Sequence, residues 1–266
     1  MALLNDSDLR LAVLIDADNI PHRHVQRMMA EIARYGTPTF KRIYGDWTRP
    51  TVAGWKPVLL QNAITPVQQY SYTTGKNATD SAMIIDAMDI LYSAKVDGFC
   101  IVSSDSDFTR LATRLREAGM KVIGIGEKKT PNPFVVACDK FIYLEILEQD
   151  EQEAETETEP GEPVVEPTKE KTPKSPRQRR ALKKLDARLI QLLATSIADV
   201  ADEAGWASLG GVGTLISKKQ PDFDSRNYGF AKLSSLLKSS PHFELEERET
   251  GPRSGRQVFV RNRENG

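Results

Sequence analysis

Short runs of β-branched and other apolar residues alternate with amphipathic stretches from Leu11 to Leu147. This alternation predicts an α/β domain with a parallel sheet, because parallel strands are joined by crossover helices that cover the faces of the sheet. The predicted strands are Leu11–Asp16, Thr39–Tyr44, Thr65–Tyr70, Phe99–Ser103, Lys121–Ile125 and Phe141–Leu144. The predicted helices are His22–Arg34, Gly54–Ala63, Asp80–Ala94, Phe108–Glu117 and a short helix near Pro133–Cys138.

Two clusters of acidic residues follow apolar runs, at points where strands are expected to end. Asp16-Ala17-Asp18-Asn19 follows Leu11–Ile15, and Ser103-Ser104-Asp105-Ser106-Asp107-Phe108 follows Phe99–Val102. In an open α/β sheet, ligands collect beyond the carboxyl ends of the strands where the strand order reverses, so the two clusters can converge there. Facing carboxylates repel one another unless a cation or proton intervenes. The sequence therefore predicts a site for a divalent metal held by oxygen ligands.

A third acidic residue, Asp80, opens the third predicted helix and is expected at the same sheet edge. The candidate metal-binding and catalytic residues are Asp16, Asp80, Asp105 and Asp107. Candidates for supporting contacts to the carboxylates or to substrate are Asn19, Ser103, Ser106 and Lys76. Asp18 is expected to cap the helix that begins near Pro21, and Asp86, six residues after Asp80, is expected to have a supporting or packing role.

Residues 148–178 are rich in Glu, Thr, Pro and Lys and contain almost no large apolar side chains. The stretch 148–173 holds ten acidic and two basic residues, a net charge of −8. Such a segment buries too little apolar surface to offset the entropy of ordering, so a disordered linker is predicted. The predicted domains are residues 9–147 and 181–262, on either side of it.

The second domain has the pattern of a winged helix. Apolar stripes predict helices over Leu182–Val200, Leu209–Lys218 and Tyr228–Leu237, and two alternating segments near Phe243 and Val260 predict a hairpin. Residues 174–266 carry a net charge of +6, which favours a polyanionic partner. The candidate residues for contacts to this polyanion are Arg179, Arg180, Lys183, Lys184, Lys218, Lys219, Arg226 and Lys232.

The motifs Leu14-Ile15-Asp16-Ala17-Asp18-Asn19, Ala78-Thr79-Asp80 and Ile101 through Phe108 resemble those of the NYN domain, a branch of the PIN-like nucleases. Gly205 through Gly210 and Tyr228 through Leu233 resemble a LOTUS (OST-HTH) domain. The first resemblance implies a PIN-like, Rossmann-like sheet in the order 3-2-1-4-5. It also implies a ribonuclease in which Asp16, Asp80, Asp105 and Asp107 bind Mg²⁺ or Mn²⁺. The second implies a winged helix that recruits RNA or a protein partner.

Two other functions fit the same residues. The first is an RNA-binding adaptor without catalysis, whose acidic residues hold a structural ion or none. The second is a phosphatase of the haloacid-dehalogenase type, since Asp16 and Asp18 after a strand suit an aspartyl nucleophile and its acid partner. Against the phosphatase, Asn19-Ile20 stands where that family has a following Thr or Val.

The expected compartment is the cytoplasm. Met1 to Arg10 does not resemble a secretion signal, and the chain has no apolar run long enough for a membrane span. The two cysteines, Cys100 and Cys138, do not form a C-x-x-C pair, and both are expected to be buried thiols in a reducing compartment.

Overall fold

A computed structural model of the chain describes residues 9–70, 78–147, 185–249 and 256–263. These residues fall into two units, which are described in turn. The predicted linker 148–178 lies outside the described residues, as does Lys76. Among the helices that are described, none is long and apolar enough to cross a membrane.

The first unit is built on a six-stranded parallel sheet. Its order, β3-β2-β1-β4-β5-β6, confirms the order 3-2-1-4-5 and places the predicted sixth strand beside β5. The strands are β1 (Arg10–Asp16), β2 (Thr37–Gly45), β3 (Thr65–Gln68), β4 (Gly98–Val102), β5 (Lys121–Gly126) and β6 (Lys140–Tyr143).

Helices cover both faces of this sheet. They are α1 (Val25–Ile32), α2 (Trp55–Asn62), α3 (Ala78–Tyr92), α4 (Thr109–Glu117) and α5 (Asn132–Ala137). Short 3₁₀ turns precede three of them, at His22–His24, Pro50–Val52 and Ser106–Phe108. The fourth predicted helix ends as expected, because Gly119 has a φ of +81°, which a residue with a side chain rarely adopts.

Strand β1 shows why the sheet is a central layer. Its odd-numbered residues, such as Val13, pack with the buried residues of α1 and α2. Its even-numbered residues, such as Leu14, pack with those of α3, α4 and α5. Both side chains are fully buried. Burial on both faces accounts for the unbroken apolar run Leu11–Ile15, since strands covered by helices on each side do not alternate with polar residues.

The strand order reverses between β1 and β4. Ile15 lies opposite Val102 in the parallel register of this pair. The chain therefore leaves the sheet at Asp16 on one strand and at Ser103 on its neighbour, so the two acidic clusters emerge side by side.

The second unit contains three α-helices and a three-stranded antiparallel sheet. The helices are α6 (Ala187–Val200), α7 (Leu209–Lys219) and α8 (Leu233–Lys238), and the strands are β7 (Ala207–Ser208), β8 (Phe243–Glu249) and β9 (Arg256–Asn262). The sheet order is β7-β9-β8, and β8 and β9 form the predicted hairpin. The two-residue strand β7 was not predicted.

The predicted continuous helix Tyr228–Leu237 is wrong. A 3₁₀ turn over Ser225–Tyr228 ends at Gly229, which has a φ of +85°, and α8 begins only at Leu233. A left-handed residue terminates a right-handed helix, so Gly229 separates the two segments. The apolar side chains Leu236 and Leu237 still face inward, as the stripe predicted.

Candidate metal centre

Three carboxylates from two separate segments meet at the carboxyl edge of the sheet. Asp80, Asp105 and Asp107 each offer an oxygen, and the three oxygens lie within 4.8 Å of one another. Three hard oxygen donors at this separation suit a cation such as Mg²⁺, which binds carboxylates and keeps several waters of its own. The donor set therefore fits the metal that the sequence implied.

Asp105 and Asp107 are fixed by a turn directly after β4. The Asp105 carboxylate accepts a hydrogen bond from the Asp107 backbone N–H at 2.9 Å, which caps the 3₁₀ turn Ser106–Phe108. Phe108 anchors the other end of this turn, since its ring is fully buried in the core. A short polar side chain and a buried aromatic residue thus hold both acids at the end of the strand.

Asp80 lies in the first turn of α3 and is only 9 % exposed. Burial, followed by the negative charges of Asp16, Asp105, Asp107 and Asp18, raises the pKa of Asp80 to about 6. Repulsion of this kind is expected where several carboxylates surround a position that a cation would neutralise.

Helix α3 is held to β2 through Asp86, six residues after Asp80. The Asp86 carboxylate accepts hydrogen bonds from Arg42 and from the hydroxyl of the fully buried Tyr44. The two partners are two residues apart on β2 and so face the same side of the sheet. Asp86 therefore has the supporting role expected of it, and it acts on the helix that carries Asp80.

Asp16 is fully buried at the end of β1 and does not belong to the group of three. Its carboxylate accepts hydrogen bonds from the Ser103 hydroxyl at 2.9 Å, the Asp18 backbone N–H at 3.0 Å and the Asn19 amide. Burial raises the pKa of Asp16, while these hydrogen bonds oppose the rise. Asp16 contributes to the raised pKa of Asp80, so it lies within electrostatic reach of the three carboxylates.

The supporting residues differ in their contacts. Asn19 and Ser103 both hold Asp16, whereas the exposed side chain of Ser106 makes no hydrogen bond to any described residue. The expected capping role of Asp18 is wrong, because the turn at Pro21 has no side-chain cap. The Asp18 carboxylate instead accepts a hydrogen bond from Thr79 at 3.2 Å, which joins the β1 loop to the start of α3.

One supporting contact at this edge was not predicted. The Ser104 hydroxyl accepts a hydrogen bond from the Glu127 backbone N–H at 2.8 Å, which joins the β4 motif to the loop after β5. The only sequence signal for it was the run of small polar residues at Ser103 and Ser104.

The structure describes four of the eight candidate RNA-contacting residues. Lys218, Lys219 and Lys232 are exposed, and Arg226 is paired with Asp224 at 2.8 Å. The other four candidates, Arg179, Arg180, Lys183 and Lys184, lie outside the described residues.

The comparison with family models accounts for both units. Residues 10–145 match the model of the NYN domain. This protein belongs to the NYN family. Residues 180–254 match the OST-HTH/LOTUS domain, so the expected pairing of the two domains is confirmed. NYN domains are PIN-like nucleases and LOTUS domains bind RNA, which supports a nuclease with an RNA-binding module.

Three of the solved structures that are similar to this NYN protein are the following. A protein of unknown function from Vibrio parahaemolyticus is 18 % identical, with 52 % of this chain and 94 % of that chain covered and a TM-score of 0.44. An uncharacterized protein from Nitrosomonas europaea is 32 % identical, with 38 % and 95 % covered and a TM-score of 0.30. A protein from Chromobacterium violaceum is 31 % identical, with 31 % and 88 % covered and a TM-score of 0.26. No curated protein matches the chain.

Proposed function

We propose that this NYN protein is a Mg²⁺- or Mn²⁺-dependent ribonuclease that hydrolyses RNA phosphodiester bonds. The single observation that carries the proposal is the meeting of Asp80, Asp105 and Asp107 within 4.8 Å at the point where the strand order reverses. A phosphatase of the haloacid-dehalogenase type would need Asp18 beside Asp16 as an acid. Here Asp18 is instead hydrogen-bonded to Thr79.

Asp80, Asp105 and Asp107 would hold the ion, and Asp16 would be a further ligand or orient one. A divalent ion held there would lower the pKa of a bound water and offset charge on the scissile phosphate. The roles of the surrounding residues follow from their contacts. Ser103 and Asn19 orient Asp16, the turn Ser106–Phe108 presents Asp107, and Asp86 fixes the helix that carries Asp80.

The carboxylates also oppose substrate binding when no cation is present. RNA phosphates and four aspartates carry like charges, so the backbone of the substrate can approach only after the negative charge of the site has been offset. Binding of the ion and of the substrate at this edge is therefore expected to be cooperative. In-line hydrolysis would leave a 5′-phosphate and a 3′-hydroxyl.

The LOTUS domain is proposed to recruit RNA to the NYN domain. Its exposed Lys218, Lys219 and Lys232 are candidates for phosphate contacts. Binding through such contacts weakens as salt rises, with a slope on logarithmic axes of about 0.7 per phosphate for single strands. We propose the domain bounds 9–147 and 181–262, with residues 148–178 as the linker between them.

The proposal is tested with the full chain and labelled single-stranded RNA, duplex RNA and single-stranded DNA, each with Mn²⁺ or with EDTA. Cleavage of RNA that requires Mn²⁺ and is lost in Asp105→Ala supports the ribonuclease. RNA binding that survives EDTA, with no cleavage in Mn²⁺, would overturn it in favour of the adaptor. Equal cleavage by the wild-type protein and Asp105→Ala would overturn the assignment of the site.

A further inference from the structure

We propose that Lys128 contacts the RNA backbone beside the scissile phosphate and sets the affinity of the NYN domain for its substrate. This inference rests on the proposed ribonuclease function and adds to it a substrate-binding residue outside the acidic cluster. The juxtaposition that carries it is the loop after β5, residues 127–130, which is bonded to the β4 motif bearing Asp105 and Asp107.

The first step is the position of this loop. Strands β4 and β5 are parallel neighbours, with Val102 opposite Ile125. Adjacent strands lie about 4.8 Å apart, so the chain leaves β5 one strand spacing from the acidic turn after β4. The flexible side chain of a lysine spans a comparable distance, and its ammonium group is a compact charge suited to phosphate.

The second step is that the loop is held rigidly against the site. The Glu127 N–H donates to the Ser104 hydroxyl at 2.8 Å, and the Thr130 hydroxyl donates to the Glu127 carbonyl at 2.6 Å. A Cβ atom on Gly126 would lie only 2.6 Å from the Ser103 carbonyl oxygen, so the backbone approach is as close as glycine allows. The base of the Lys128 side chain is thus placed by the same residues that shape the site.

The third step is charge. Lys129 forms an ion pair with Glu127, which neutralises both. Lys128 is exposed, and its ammonium group has no carboxylate within 4.0 Å among the described residues. The Lys128 backbone N–H donates a hydrogen bond to the Glu145 carboxylate at 2.8 Å. This bond anchors the main chain, and the Lys128 side chain is exposed to solvent. Lys128 therefore offers a positive charge that is not paired with a described carboxylate, on the loop that is bonded to the β4 motif.

A polyanion crossing this edge of the sheet needs such a charge. Ions held by Asp80, Asp105 and Asp107 would balance the scissile phosphate, whereas the neighbouring phosphates of the same strand would pass the site without such a cation. A lysine one strand away is suited to bind one of these neighbouring phosphates. The expected ligand of Lys128 is therefore a backbone phosphate rather than a base.

The chain offers a matched control. Lys121 is exposed at the first residue of β5, whereas Lys128 lies just after its last residue, so the two lysines stand at opposite edges of the same strand. Only the edge of Lys128 carries the acidic cluster. Replacement of either lysine removes the same charge from the protein.

The test uses the full chain in two assays. In the first, lysine acetylation is followed by mass spectrometry with and without single-stranded RNA, with Ca²⁺ in place of Mn²⁺ to offset the charge of the site, and the recovered RNA is checked for cleavage. In the second, kcat and KM are measured with Mn²⁺ over a range of salt for the wild-type protein, Lys128→Ala, Lys128→Arg and Lys121→Ala.

RNA is expected to protect Lys128 from acetylation and to leave Lys121 reactive. Lys128→Ala is expected to raise KM about 3- to 10-fold with little change in kcat, and to reduce the salt slope by about 0.7, the loss of one phosphate contact. Lys128→Arg is expected to restore most of the affinity, and Lys121→Ala to match the wild-type protein.

The two proposals fail in different ways. Wild-type cleavage that is unaffected by Lys128→Ala, with no protection of Lys128, would overturn the assignment of Lys128 and leave the ribonuclease intact. Absence of wild-type cleavage would overturn the ribonuclease. Protection of Lys128 from acetylation would then alone decide whether Lys128 binds RNA. Equal effects of Lys128→Ala and Lys121→Ala would also contradict the proposal, since they would indicate a nonspecific loss of charge.

Discussion

The Ser103 hydroxyl donates a hydrogen bond of 2.9 Å to the Asp16 carboxylate, although the two residues are 87 positions apart in the chain. This contact joins the ends of β1 and β4 where the strand order reverses. Both residues are fully buried, so solvent cannot replace the hydroxyl if it is removed. A buried acceptor that loses a donor costs about 1–3 kcal/mol.

Ser103→Ala is therefore expected to lower the free energy of unfolding by about 1–2 kcal/mol and to weaken Mn²⁺ binding, because Asp16 loses one of the groups that orient it. Chemical denaturation and calorimetry measure the two effects. The control is Ser106→Ala, which removes an exposed hydroxyl without a hydrogen bond to any described residue. If Ser103→Ala and Ser106→Ala behave alike, the Ser103 contact does not support the site.

Asp80→Asn is expected to stabilise the metal-free protein at neutral pH. The pKa of Asp80 is raised to about 6 in the folded state, against about 3.9 in an unfolded chain, so the folded state binds the proton more tightly. The favourable contribution of protonated Asp80 is complete below pH 4 and is lost as the pH rises through 6. Because solvent screens part of the repulsion, removal of the charge should raise the free energy of unfolding by about 1 kcal/mol at pH 7.5. This gain corresponds to a rise in Tm of about 2–4 °C.

In Asp80→Asn, addition of Mn²⁺ should no longer raise Tm. Mn²⁺ is expected to raise the Tm of the wild-type protein at pH 7.5 and to raise it less at pH 5, where protons compete for Asp80. Thermal denaturation with and without Mn²⁺ at the two pH values measures both effects. An Asp80→Asn protein that is less stable than wild type without metal, or that is stabilised by Mn²⁺ as much as wild type, would contradict the account.

Removal of the Asp86 carboxylate should damage both stability and metal binding. Asp86→Ala leaves the hydroxyl of the buried Tyr44 and the guanidinium of Arg42 without their acceptor. The expected loss is about 2–4 kcal/mol, since a half-buried charged network is broken. Mn²⁺ affinity should also fall, because α3 carries Asp80.

The matched control for this helix is Asp89→Ala, which removes an exposed carboxylate three residues further along α3. Tyr44→Phe separates the two contacts, since it removes the hydroxyl and keeps the pair of Arg42 with Asp86. Tyr44→Phe should lower the free energy of unfolding by less than Asp86→Ala does. Unchanged Mn²⁺ affinity in a folded Asp86→Ala protein would show that this network does not position Asp80.

Trp206 is expected to stabilise the LOTUS domain rather than to bind a base. Its side chain is 9 % exposed, and the guanidinium groups of Arg248 and Arg261 lie over its ring at 4.5 and 4.7 Å. Trp206→Ala should cost about 3 kcal/mol, since it removes both the buried ring and two cation–π contacts. Hydrogen exchange should then increase in residues 187–249 and remain unchanged in β1 and β4. Exchange at the wild-type rate in 187–249 would mean that the ring is not structural.

Most of the NYN domain could be predicted from its sequence because its strands are short, apolar and covered on both faces. Leu11–Ile15 shows this signal, and the acids that follow it mark the sheet edge at which the candidate site lies. Two local patterns were misleading. Asp18 precedes a proline at a helix start, as a capping residue would, but its acceptor oxygens bind Thr79, 61 residues away. The spacing of apolar residues around Gly229 suits one continuous helix. The backbone of Gly229 is left-handed, however, and it interrupts that helix.

The contacts of Asp86, Ser104 and Lys128 could not be predicted, because each depends on which strands are neighbours in the sheet. Asp86 is one of several acids on α3, and only the packing of that helix on β2 selects it for Tyr44 and Arg42. Long-range pairing of this kind leaves no periodic signal in the sequence.

The most direct measurement of the central claim is calorimetric titration of the full chain with Mn²⁺, beside a variant with Asp80, Asp105 and Asp107 all changed to Asn. The account predicts saturable Mn²⁺ binding by the wild-type protein at pH 7.5 and loss of that binding in the folded triple variant. Absence of Mn²⁺ uptake by the wild-type protein, or equal uptake by the two proteins, would contradict it.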